Sequence, residues 1–223
     1  MKDITKQTVV LIPCYNSSDT LSILLDKITM DSDFDVIVVD DGSNPQCESD
    51  IDSVTILRNS KNTGKGYSLL KGFRYAQEKG FSHAVTLDAD LQHNPSEIHK
   101  FMKVDMDVDF VLGYRKKDRS MPVHRKLSNT ITTYLLSKLS SRDILDSQCG
   151  FRRYNLAAVD SCSYREDGFQ FESEVLIKCL KSNFSLEQIN IETIYDKNNK
   201  SYINHVSDTL KFIRLILRSL LRR

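Results

Sequence analysis

Several common signals are missing from this chain, and each absence removes a class of function. Its 223 residues carry 31 Lys and Arg against 30 Asp and Glu, a formal charge of +1. A balance so near zero offers no whole-molecule attraction to nucleic acid or to a strongly acidic partner, so no nucleic-acid binding is expected. The five cysteines (Cys14, Cys47, Cys149, Cys162, Cys179) are odd in number and show no C-x-x-C spacing. Neither a zinc site nor a disulfide framework is suggested, and a reduced, cytoplasmic setting is the expectation. No run approaches about 20 uninterrupted apolar residues, so no spanning helix is expected. The opening MKDITKQTVVLIP lacks the apolar core and small-residue cleavage site of a signal peptide. There is no G-x-x-x-x-G-K-[ST] phosphate loop. Repeats, low-complexity tracts and Pro/Gly/Ser linkers are absent as well. What remains is one α/β domain over residues 1–207 with a basic amphipathic helix over 208–223.

What is present is a rhythm. TVVLIP (8–13), DVIVVD (35–40), SVTILR (53–58), HAVTLD (83–88) and DFVLGY (109–114) are short apolar runs that read as strands buried on both faces. Helical spacing fills the intervals 18–29, 64–79 and 95–103. That alternation predicts right-handed crossovers and a mostly parallel sheet flanked by helices. Farther on, 124–139 and 170–182 read as helices and 185–195 as a strand. Polar clusters follow the strands: PCYN after the first, DDGS after the second, DADLQH after the fourth and GYRKK after the fifth. In open α/β sheets, ligands bind beyond the carboxyl ends of the strands, so four clusters on one edge predict a site there.

Asp88 and Asp90 stand at i and i+2, which in extended geometry points both carboxylates to one side. Alone, such a pair is more often a solvated turn than a site. If buried together, the two carboxylates repel, and a hard divalent cation such as Mg2+ or Mn2+ relieves the conflict, with Gln92 able to add a neutral oxygen. The surrounding motifs decide between the readings. In order and spacing, IPCYN, VIVVDDGSN, NTGKGYSLLKGF and LDADLQH resemble the nucleotide-sugar domain of family 2 glycosyltransferases. DSQCGFRRY (146–154) is similar to the dolichyl- or polyprenyl-phosphate sugar (glucosyl or mannosyl) transferases within that family.

The resemblance spans about residues 8–207 and implies a GT-A-type, Rossmann-like fold and inverting hexosyl transfer. It places Pro13, Tyr15, Asn16, Asp40 and Asp41 at the nucleotide, with Asp41 accepting from the base, and Lys65, Lys200 and Ser201 near the donor. It places Asp88, Asp90 and Gln92 on the metal and donor diphosphate. Arg115, Arg125 and Arg152 fall on the acceptor phosphate, where a planar guanidinium fork suits phosphate oxygens. Glu172 and Glu174 are the candidate bases. At i, i+2 on a helix they do not share a face, so only one can enter the site. Where relatives carry an acid after PCYN this chain has Ser17, which leaves the nucleotide open between UDP, with glucose preferred, and GDP with mannose.

The acceptor implied is a polyprenyl phosphate at the cytoplasmic face of a membrane. Transfer to a glycan hydroxyl and non-catalytic nucleotide-sugar binding are the alternatives. Lys211, Arg214, Arg218 and Arg222 lie on one face of the last helix. That helix either packs on the domain or lies on anionic lipid. A separate membrane-protein partner is the other route to a lipid substrate.

Overall fold

The computed structural model describes residues 7–30, 33–116, 123–192, 194 and 205–221, with the side chains of 123–125, 205–209 and 221 outside that description. The described elements run β1 (Thr8–Cys14), α1 (Ser18–Thr29), β2 (Val36–Asp40), β3 (Val54–Arg58), α2 (Lys65–Glu78) and β4 (His83–Thr86). A 3₁₀ turn (Pro95–Glu97) leads into α3 (Ile98–Met102), then β5 (Phe110–Arg115) and α4 (Val123–Ser140). The chain continues through β6 (Arg152–Asn155), α5 (Leu156–Asp160), α6 (Phe171–Lys181), β7 (Leu186–Ile191) and α7 (His205–Leu221).

These strands make one seven-stranded sheet of order β3-β2-β1-β4-β6-β5-β7. All neighbours are parallel except at β6, which runs antiparallel to both β4 and β5. β1 and β2 are apolar throughout because helices cover both faces of the sheet. Alternate residues feed opposite layers: Val10, Ile12, Val36 and Val38 meet α1, while Val9, Leu11, Ile37 and Val39 meet α2 and α6. α1 contributes Leu21, Leu24, Leu25 and Ile28, an i, i+3, i+4, i+7 stripe that is wholly buried. Each such side chain contributes about 1.5–3 kcal/mol relative to exposure. A third cluster joins Leu136 of α4, Leu176, Ile177 and Leu180 of α6, and Leu215 and Ile216 of α7.

Two features depart from the sequence reading. β4 ends at Thr86, so Asp90 lies in a turn rather than on a strand. And β6, with sequence RRYN, is a strand that polar-versus-apolar patterning hides. Arg152 and Arg153 are both buried, at 1 % and 0 % exposure. Arg153 donates to the carbonyls of Phe101 (2.9 Å), Val104 (2.7 Å) and Val108 (3.3 Å), closing the loop between α3 and β5. Its charge is thus spread over backbone acceptors, a common way for buried arginine to be satisfied.

Candidate active site

The carboxyl ends of β1, β2 and β4 meet the entry to β6, and the polar motifs gather there. After β1, Pro13 and Tyr15 are half-buried and Asn16 is exposed at φ 49°. The Asn16 N–H donates to Ser43 Oγ (2.9 Å), and its Oδ1 accepts from the Asn44 N–H (2.9 Å). PCYN is therefore clipped to the DDGS turn, and the two form one rim.

The acids of that turn are braces. Asp40 is wholly buried and accepts from the Ser43 N–H (2.8 Å), the Cys47 N–H (3.1 Å) and the Arg58 guanidinium. These hydrogen bonds and Arg58 hold its carboxyl below the usual range despite burial, which acts the other way. Asp41 Oδ1 accepts from Asn59 Nδ2 (2.8 Å), the Thr63 N–H (2.9 Å) and Thr63 Oγ1 (2.6 Å), and its Oδ2 accepts from the Gly64 N–H (2.8 Å). A carboxylate has about four acceptor sites. Both residues expected at the nucleotide are held by protein partners: Asp40 folds the turn and Asp41 fixes the NTGKG loop. Gly42, at φ 77°, lets the turn lie on that loop; a Cβ there would come within 2.6 Å of the Lys61 carbonyl carbon.

The fixed loop delivers Lys65. Gly64 and Gly66 bring the start of α2 against residues 167–171, where an added Cβ would meet Asp167 O or Phe171 Cβ at 2.5 Å. From there the Lys65 ammonium reaches Asp88 Oδ1 (2.7 Å) and Glu172 Oε2 (2.9 Å) at once. The two carboxylates raise its pKa above the ordinary lysine value, outweighing desolvation. Glu172 Oε1 also lies 3.8 Å from Arg152 Nε. Asp90 sits beyond Asp88 in a turn that its Oδ1 closes by accepting the Gln92 N–H (3.0 Å), with Leu91 at φ 59°. The extended i, i+2 argument is thus replaced by an Asx turn, yet the two acids still feel each other. Burial first, and Asp88 second, push Asp90 up to about 6.

His93, which the sequence reading passed over, is buried beside this motif. Its ring lies 5.4 Å from that of Phe151, Nδ1 has no hydrogen-bond partner, and burial pushes its pKa down to about 4. No spacing rule marks a histidine in this role; only the fold supplies its neighbours.

On the acceptor side, Arg115 Nε donates to Asp146 Oδ2 (2.7 Å) and its Nη2 to Oδ1 (3.1 Å). This bidentate pair, joined by Asn129 Nδ2 (2.9 Å), ties β5, α4 and the DSQCG segment together. Cys149 is buried, its thiol pushed up to about 12, which suits packing rather than nucleophilic work. Two of the expected site residues have protein partners of their own. Arg152, at 1 % exposure, donates to the carbonyls of Cys149 (2.6 Å), Ser147 (2.7 Å) and Glu172 (3.1 Å). Its guanidinium is held by these carbonyls beneath the site. Glu174 points away from the site: its Oε2 accepts from the Arg165 and Glu166 N–H groups (both 2.9 Å), and its Oε1 pairs with Lys178 (2.6 Å). Of the two helix acids, Glu172 is the one that meets Lys65 beside Asp88. The Arg125 side chain, Lys200 and Ser201 lie outside the described residues.

A family model described as glycosyl transferase family 2 matches residues 9–166. The chain belongs to that family. Among similar curated proteins is a UDP-N-acetylglucosamine–dolichyl-phosphate N-acetylglucosaminyltransferase of Methanococcus voltae, 26 % identical over 95 % of this chain and 96 % of its own length. A polyprenol monophosphomannose synthase of Mycolicibacterium smegmatis is 27 % identical over 84 % of this chain and 77 % of that protein. A glucosyl-3-phosphoglycerate synthase of Mycobacterium tuberculosis, solved with UDP, superposes with a TM-score of 0.71 over 96 % of this chain and 79 % of that one, at 17 % identity. Its mostly parallel sheet and flanking helices are the GT-A arrangement found here.

In this family-2 chain the donor set has the chemistry a hard divalent cation needs. Asp88 and Asp90 are carboxylates close enough for one to raise the other's pKa, and Gln92 is half-buried next to them. Among the described residues no cluster of three or more His, Cys, Asp or Glu forms a closed metal site. Two protein carboxylates would make an open site, whose remaining positions a ligand's phosphate oxygens could fill.

Proposed function

We propose that this glycosyltransferase moves a hexose from a nucleotide diphosphate sugar to a polyprenyl phosphate, with inversion at the anomeric carbon. UDP-glucose is the preferred donor and GDP-mannose the alternative. The observation that carries the acceptor assignment is the state of the helix acids. Glu172 is ion-paired with Lys65, and Glu174 is spent on backbone N–H groups and Lys178. A carboxylate paired in this way is a poor general base, and a sugar hydroxyl would need one. A phosphate monoester has a second pKa near ~6 and arrives already ionised. The Methanococcus and Mycolicibacterium relatives, named for dolichyl-phosphate and polyprenol phosphate chemistry, support the same choice.

In this reading Asp88, Asp90 and Gln92 hold Mg2+ or Mn2+, which supplies positive charge for the leaving diphosphate. Tyr15 and Asn16, on the rim clipped to Ser43 and Asn44, border the nucleotide. The Arg115–Asp146 pair positions the acceptor wall, and Arg125, Lys200 and Ser201 are assigned to the phosphates from the family pattern alone. Alignment of phosphate oxygen with anomeric carbon is then the main task of the protein.

α7 supports work at a lipid surface. Leu215 and Ile216 are buried against α4 and α6, whereas Leu210, Ile213, Leu217 and Leu220 form an exposed ridge at 62, 47, 55 and 54 %. Lys211 and Arg214 are exposed beside that ridge, and Arg218 pairs with Glu166 at 3.1 Å. Among the described residues no helix is long and apolar enough to cross a membrane. An apolar ridge flanked by cations suits the interface of an anionic bilayer, on the cytoplasmic side in this proposal. Replacing Ile213 and Leu217 together with serine should weaken co-sedimentation with phosphatidylglycerol vesicles at least about tenfold. Unchanged binding would leave delivery to the lipid to a separate membrane-protein partner.

The function itself is tested by incubating the purified chain with Mn2+ or Mg2+ and UDP-glucose or GDP-mannose, with and without a polyprenyl phosphate. Release of nucleotide diphosphate should require the lipid. Release driven instead by a glycan hydroxyl would reassign the acceptor.

A further inference from the structure

Lys65, expected near the donor, has so far been used only as the partner of Glu172, yet it also bonds the metal-motif acid Asp88. Its side chain is only 13 % exposed, and it links the metal-motif acid Asp88 to the helix acid Glu172, which are far apart in sequence. The surroundings are built around that link. Gly64 and Gly66 allow α2 to start close enough for Lys65 to reach across. Gly150 leaves space on the other side, since a Cβ there would sit 2.7 Å from Asp88 Oδ2 and 3.1 Å from Lys65 Nζ. Arg152 stands under Glu172 and is fixed by carbonyls, so Lys65, tethered only through its flexible stem, is the cation that can move.

Charge counting gives this arrangement a purpose. Asp88, Asp90 and Glu172 face Lys65 and Arg152, so the free site carries one net negative charge. A divalent metal alone would turn that to one net positive charge, and a donor diphosphate alone would make it three negative. Metal and diphosphate together return the site to its starting balance. We propose that Lys65 is the resident counter-ion of the donor site, holding Asp88 in the free enzyme and, while it keeps Glu172, exchanging Asp88 for the donor's diphosphate when a divalent metal takes its place. The arrangement makes metal binding favour the presence of nucleotide: a metal arriving by itself must displace the ammonium from Asp88 and leave it with Glu172 alone, whereas a diphosphate replaces the lost partner. This inference rests on the donor-site reading above and adds a coupling between its two ligands.

Mn2+ binding, followed by the loss of the free Mn2+ EPR signal, tests the proposal without turnover. In the wild-type chain Mn2+ should bind weakly alone and at least about tenfold more tightly with UDP or GDP present. Lys65→Met should bind Mn2+ alone at least about tenfold more tightly than wild type, because one positive charge is gone from within a few ångströms. Its nucleotide enhancement should shrink by a similar factor, and Lys65→Arg should restore the wild-type pattern. A folded Lys65→Met chain that binds Mn2+ alone no better than wild type overturns the proposal. Should that variant not fold, Glu172→Gln decides the matter, since it keeps Lys65 and removes one acid. Mn2+ alone should then bind more weakly than in wild type, and equal or tighter binding overturns the proposal. Wild-type protein that binds no Mn2+ with either nucleotide removes the donor-site reading itself, and this coupling with it.

Discussion

Asp90→Ala should lower lipid-dependent turnover by about a thousandfold or more while leaving the fold as stable as before. The two halves of that expectation have separate causes. Turnover falls because removing Asp90 leaves Asp88 as the single carboxylate for the divalent cation. Charge neutralisation at a leaving diphosphate is worth several kcal/mol, and about 4 kcal/mol corresponds to three orders of magnitude in rate. Stability holds because Asp90 lies in a turn, where its Oδ1 bond to the Gln92 N–H is a local one. Its charge is unfavourable, first because it is buried and second because Asp88 is near, which together raise its pKa to about 6, so its loss removes a buried charge in the metal-free state. Steady-state rates with Mn2+, set beside thermal melts, separate the two effects. Full activity in the variant would dismiss the metal site, and a lost rate explained by a lowered melting temperature would leave it unproven as the cause. Chelation of the wild-type enzyme should mimic the substitution in rate and not in melting temperature.

Arg152→Met should do the reverse: a loss of about 3–5 kcal/mol in stability, near 10 °C in melting temperature, with the acceptor KM of the surviving folded protein little changed. Three carbonyls, those of Ser147, Cys149 and Glu172, take their hydrogen bonds from this one guanidinium. Methionine fills the volume but donates nothing, so the Ser147 and Cys149 carbonyls lose this donor and Glu172 loses a neighbouring cation. Urea unfolding reads the first quantity and acceptor titration the second. A variant of native stability with a KM raised tenfold or more would return Arg152 to the phosphate-binding role that its place after CGF first suggested.

Those two residues mark how far the sequence could be read. β1 and β2 declare themselves because strands buried on both faces need apolar residues at every position, and TVVLIPC and VIVVD meet that condition. The acidic motif declares itself by spacing and by the company of the other motifs. RRYN cannot declare itself, since its two arginines owe their burial to carbonyls contributed from residues 101–108, 147, 149 and 172. The same limit separates Glu172 from Glu174. Sequence says that only one can enter the pocket, but the rotation of α6 is set by Phe171 and Val175 packing beneath the sheet. Asp40 and Asp41 were legible as site residues and illegible as braces, because Arg58 and Thr63, the partners that occupy them, lie a strand and a loop away.

The antiparallel strand has a consequence for how the molecule comes into being. β6 is inserted between β4 and β5, and pairs His83 with Asn155, residues about seventy positions apart. β1–β2 and β2–β3 join through short crossovers, whereas β1–β4 (Thr8 with His83) and β4–β6 must each close a long loop before any bond rewards them. During synthesis the order follows from the chain: β1 to β4 emerge first and can pair, and β6 can be inserted only after Asn155 has emerged. Lys65 and Asp88 belong to the early part, and Gly150, Arg152 and Glu172 to the late one. A chain halted during synthesis before Arg152 therefore carries an intact-looking donor motif with no wall behind it, and the site comes into existence only when the last strand of the seam goes in.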